Sequence, residues 1–141
     1  MLDKKAILSF IKEDILNKNK KIKISVHGSS MLPFLRSGDN VIIKRVKENE
    51  LKVADIVVFK YFDKIVVHRI IKINTDTIIC RGDSTINNDE PVGKKNIIGV
   101  VIGRERGLKN KVKVVKIHRI TNLFYLIFSN FFRIKLKRWV K

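Results

Sequence analysis

Apolar positions along the chain change their period twice. Between residues 3 and 17, Ile7, Phe10, Ile11 and Ile15 recur at helical spacing behind Asp3, a residue suited to an N-cap, and predict a short amphipathic helix. From Ile22 the period becomes two: Ile22, Ile24 and Val26 alternate with polar neighbours, as a half-buried strand does. Ile- and Val-rich stretches follow at Val41–Val46, Asp55–Tyr61, Ile65–Asn74, Thr77–Cys80, Ile97–Ile102 and Val112–Ile117. Turn residues separate them at Ser37-Gly38-Asp39, Asn74-Thr75-Asp76 and Arg81-Gly82-Asp83-Ser84. The last 20 residues return to helical character. This pattern predicts a mainly β fold, a barrel or coiled β-sheet, with a short N-terminal helix and a C-terminal amphipathic helix. The expected organisation is an N-terminal helix over 1–20, a β-rich core over 21–105, and a basic strand with an amphipathic aromatic tail over 106–141.

A length of 141 residues allows one domain, and 45% hydrophobic against 31% charged residues is too apolar for general disorder. One cysteine, Cys80, excludes an intramolecular disulfide and any multi-cysteine zinc site, and its expected place is the core. No metal or cofactor is expected. The net charge of +18 is unevenly placed: from Arg106 to Lys141 there are eleven Lys and Arg residues and no acid. Such a tail is suited to an anionic partner, lipid headgroups or nucleic acid.

The stretch from Val26 to Asp39 carries the candidate chemistry. A strand ends at Gly28, Ser29 and Ser30 follow, and Pro33 keeps Leu32 out of a helix. On its own, Gly-Ser-Ser-x-x-Pro is a turn sequence. Small residues before a nucleophilic serine would also let a substrate backbone approach, and successive N–H groups there could hold an oxyanion. The serine needs a base, which sequence spacing does not identify because such groups assemble in space.

Gly28-Ser29-Ser30-Met31-Leu32-Pro33, with Leu35 and Gly38-Asp39, resembles the nucleophile box of the signal peptidase I and LexA-like serine peptidase superfamily. Ala54-Asp55-Ile56-Val57-Val58-Phe59 is similar to the Gly-Asp-Ile-Val strand of those enzymes, with Ala54 where Gly is usual. Val66-Val67-His68-Arg69-Ile70 resembles their base-bearing strand, and Arg81-Gly82-Asp83-Ser84 with Asn88-Asp89 their Gly-Asp-Asn…Asp block, followed by Ile98-Gly99-Val100-Val101. These ordered motifs span about residues 24 to 103. Histidine rather than lysine at position 68 is similar to the archaeal and endoplasmic-reticulum signal peptidases.

The resemblance implies a serine endopeptidase that removes a signal or leader peptide from a precursor. Ser30 is then the nucleophile, His68 the general base and Asp89 the residue that orients the imidazole. Asp83 is a second acid for that role or for holding the loop, and Ser29 and Met31 border the oxyanion and substrate edge. An imidazole, with an unperturbed pKa of about 6.5, accepts a serine proton without extreme burial. His27 is expected to be structural or to line the rim, and His118 to lie in solvent. The alternative is a catalytically inactive peptide- or membrane-binding module of the same fold.

Signal peptidases of this kind usually carry a transmembrane anchor before the nucleophile box. Here fewer than 30 residues precede Ser30, in a charged amphipathic stretch that is also short for a DNA-binding domain. The longest uncharged run, Ile120 to Phe132, is 13 residues, against the roughly 20 a spanning helix needs. Leu123-Phe124-Tyr125-Leu126-Ile127-Phe128 and Phe131-Phe132, followed by Arg133, Lys135, Lys137, Arg138, Trp139 and Lys141, suit the surface of an anionic bilayer. Peripheral membrane association through residues 120–141 is therefore expected, the alternative being that the aromatic stretch packs on the β domain with the basic end in solvent. Nucleic-acid binding is not expected.

Overall fold

A computed structural model describes residues 21–108, 111–117, 122–128 and 130. The helix expected over 3–17, His118 and residues 131–141 lie outside these. The described residues form eight antiparallel strands: β1 (Ile22–Ser25), β2 (Asn40–Lys44), β3 (Ile56–Tyr61), β4 (Lys64–Ile73), β5 (Thr77–Arg81), β6 (Val92–Gly93), β7 (Ile97–Leu108) and β8 (Lys111–Lys116). Their order in the sheet is β1-β2-β7-β3-β4-β5-β6, with β8 also paired to β7. Helical turns at Glu48–Glu50 and Lys94–Asn96 connect strands, and a helix, α1, covers 122–128.

The burial of β3 explains its continuous apolar run. Ile56 and Val58 point into one core with Val26, Met31, Phe34, Leu35, Val41, Ile43, Ile98 and Val101. Val57 and Phe59 point into a second, with Leu51, Ile70, Ile78, Cys80, Val92 and Val100. Alternate side chains of a strand leave opposite faces, so a strand covered on both must be apolar at every position. Each fully buried Val, Ile or Phe of this kind contributes about 1.5–3 kcal/mol.

Two differences from the sequence pattern have local causes. β7 runs beyond Ile102 to Leu108, across the expected boundary at 105, because its second half pairs with β2 on one edge and β8 on the other. β6 is two residues long, too short to show alternation, and exists through pairing of Val92 and Gly93 with Ile78 and Thr77.

Candidate active site

The segment between β1 and β2 is a closed loop. The Val26 N–H donates to the Asp39 carbonyl at 2.8 Å and the Gly38 N–H to the Val26 carbonyl at 2.9 Å. Asp39 is buried, accepting from the Arg36 N–H at 2.9 Å and from Arg106 Nε and Nη2 at 2.7 and 2.6 Å. Burial pushes its carboxyl up, but the Arg106 and Arg36 hydrogen bonds and the Arg106 and Arg104 charges outweigh burial and hold it below its ordinary value. Within the loop, Gly28 takes φ +97°, a conformation open to glycine, and turns the chain out of β1. Met31, Phe34 and Leu35 are buried in the first core, which pins the residues around Ser30.

His68 and Arg69 come from the middle of β4. His68 is opposite Val57 and Arg69 opposite Ile56, so the two side chains leave opposite faces of the strand. Ser30 Oγ lies 3.0 Å from His68 Nε2, and Asp89 Oδ2 lies 2.6 Å from His68 Nδ1. With Nδ1–H donating to Asp89, Nε2 is left to accept the Ser30 hydroxyl proton. The Asp89 N–H donates to the Cys80 carbonyl at 2.8 Å, tying the end of the 81–89 loop to β5.

Asp83, the other acid of this loop, is turned to the opposite face. Arg69 donates through Nε and Nη2 to its two oxygens, both at 2.7 Å, and both side chains are buried. Arg69 Nη1 also donates to the Ala54 carbonyl at 3.1 Å and to Asn122 Oδ1 at 3.0 Å. Its guanidinium lies 5.2 Å from the Phe34 ring centre. Of the two places open to Asp83 in the sequence, it therefore occupies the one that holds the loop.

The same loop is strapped to the serine backbone. Ser84 donates from its N–H to the Ser30 carbonyl at 2.9 Å and from Oγ to the Ser29 carbonyl at 2.7 Å. Gly82 sits so close that a Cβ on it would fall 2.5 Å from the Ser30 carbonyl oxygen. Sequence reasoning missed the structural parts of Arg69, Gly82, Ser84 and Asn122. An arginine among apolar residues of a strand, with an acid in a nearby turn, was the available signal for the first.

A cleft of about 440 Å³ opens at Ser30 and His68, between Ile24–Gly28 on one side and Ile65–Val67 on the other. His27 lines it, and Met31 does so while its side chain is buried in the first core. Ser29 is exposed beside it. Cys80 is fully buried, and burial first, then the Asp89 charge, pushes its thiol up, so it stays protonated and inert. Among the described residues, no group of three His, Cys, Asp or Glu side chains could hold a metal ion, and no helix is long and apolar enough to cross a membrane.

The serine hydroxyl and imidazole are placed for a proton to pass between them, the carboxylate holds the ring that receives it, and all three border or adjoin the cleft. No curated protein matches the sequence. A family model described as Peptidase S24-like matches residues 3–102, well over half of the chain and a range that contains Ser30, His68 and Asp89. The chain belongs to the Peptidase S24-like family, in the LexA-like serine peptidase superfamily.

Proposed function

We propose that this chain is a serine endopeptidase of the signal peptidase type, cleaving a signal or leader peptide from a precursor with Ser30 as nucleophile, His68 as general base and Asp89 as the residue that orients the base. The observation that carries the reading is the 3.0 Å approach of Ser30 Oγ to His68 Nε2 while Asp89 holds Nδ1. Asp89 supports the tautomer with a free Nε2 and stabilises the imidazolium that forms.

Ser30 Oγ attacks the scissile carbonyl as its proton passes to Nε2, and the backbone N–H of Ser30 helps hold the oxyanion. Collapse breaks the C–N bond; the amine leaves with the proton from His68, and Ser30 is acylated. Water then gives its proton to His68, attacks the acyl carbonyl and releases the new C-terminus, returning the proton to Ser30.

β1 lies at an edge of the sheet and borders the cleft, which favours a substrate bound in extended form by backbone pairing; the resemblance to signal peptidases adds small side chains near the scissile bond. Histidine at position 68, where the LexA-like autoproteases and bacterial signal peptidases have lysine, supports the Ser–His signal peptidase branch.

Incubating the full chain with candidate precursors and mapping new termini by mass spectrometry tests the proposal. One defined cleavage, lost in Ser30→Ala along with labelling by a serine-directed acylating probe, is the expected result. Cleavage that survives Ser30→Ala overturns the mechanism.

A further inference from the structure

Helix α1 has two unlike faces. Its inner face holds Asn122, bonded to Arg69, Tyr125, whose ring meets Phe34 at 4.6 Å, and buried Leu126. Its outer face carries Leu123, Phe124, Ile127 and Phe128, which are 51%, 67%, 61% and 51% exposed. Other exposed apolar side chains, such as Phe62 and Val53, stand singly in turns, as on any protein surface. Four on two turns of one helix form a contiguous patch.

The charge of the sequence segment that contains α1 selects what covers this patch. From Arg106 to Lys141 the chain carries eleven basic residues and no acid. A second copy would bring two such segments together and meet like charge with like. A nucleic acid would satisfy the charge but leave the apolar face in water. An anionic bilayer supplies both halves of the match, acyl chains for the outer face and headgroups for the Lys and Arg.

We propose that the outer face of α1 is a contact surface for an anionic lipid bilayer, lying in the plane of the membrane. The proposal goes beyond the peptidase reading and stands without it, since nothing in it uses Ser30. The helix is fastened to Arg69, next to His68, and to Phe34 of the serine loop. The domain is thereby held at the lipid surface by the elements that carry its candidate site.

Flotation of the full chain with vesicles tests it. The protein is expected to float with phosphatidylcholine vesicles containing about one third phosphatidylglycerol and to stay behind with phosphatidylcholine alone. Phe124→Gln with Ile127→Gln is expected to lower the partition coefficient roughly tenfold or more, while the unfolding midpoint stays put. No flotation, equal flotation of the double variant, or a vesicle-free dimer that the double variant abolishes would each overturn the proposal, as would tight duplex DNA binding without flotation. Should the double variant fail to fold, a polarity-sensitive fluorophore on Leu123→Cys replaces it, because buried Cys80 does not compete for label. A blue shift only with anionic vesicles supports the contact, and no shift overturns it.

Discussion

His68 and Arg69 are neighbours in β4 whose side chains leave opposite faces of the strand, and each captures a different acid of one loop. His68 takes Asp89 at 2.6 Å, and Arg69 takes Asp83 through two bonds of 2.7 Å. One short loop is thus fixed from both sides of a strand, and its Ser84 is fixed in turn to the backbone of Ser29 and Ser30.

This division of labour separates the two acids by experiment. Asp83→Asn leaves the Arg69 guanidinium buried without its counter-charge and should cost about 3–5 kcal/mol, read from urea unfolding. Asp89→Asn keeps the shape of a half-exposed group and should change stability by about 1 kcal/mol or less. It favours the wrong imidazole tautomer, so turnover should fall by about 10²- to 10⁴-fold. The opposite pattern, turnover lost with stability intact in Asp83→Asn, would reverse the assignment.

Gly82 is required by close approach. A Cβ there would lie 2.5 Å from the Ser30 carbonyl oxygen and 3.0 Å from Ser30 Cβ, so Gly82→Ala must push the serine or the loop. A displacement of about 1 Å at a nucleophile costs on the order of 10²-fold in kcat/KM. The rate of Ser30 acylation by a small probe should fall with it.

Ala54 takes φ +77°, where an L side chain is strained and glycine is not. Its N–H donates to the Ile70 carbonyl and its own carbonyl accepts from Arg69, so the conformation is held by β4. Ala54→Gly should therefore stabilise the fold by about 1 kcal/mol, seen as a higher Tm. A lower Tm would mean that the buried methyl matters more than the strain.

Asp39 gives the fold an acid limit. Its carboxyl is held below its ordinary value of 3.8, so near that pH the unfolded chain binds more protons than the folded one. The stability this provides is fully present above pH 3.8 and is lost as pH falls through the lower, folded value. Asp39→Asn should be less stable than the native chain at neutral pH, with the gap closing as the urea midpoint is followed below pH 4. A gap that does not change with pH would contradict the Asp39–Arg106 pairing.

Residue order alone determined much of this protein. Alternating Ile and Val set the strands, since a two-residue period buries one face of a sheet, and the motifs around Ser30, His68 and Asp89 were legible as a linear pattern. The two-residue β6 was not, because its structure comes from its partner strand rather than its own side chains. The aromatic run at 123–128 was visible, but which of its residues face the domain was not.

Tertiary structure decided what each charged group meets. In the sequence only the family resemblance put Asp89 ahead of Asp83 as the partner of the imidazole, and Arg69 is one more cation in a basic chain. Strand pairing sends adjacent side chains to opposite faces, and a guanidinium taken out of water demands a carboxylate. That places Asp83 with Arg69 and leaves Asp89 to His68, a choice made by direction and burial, neither of which is written in residue spacing.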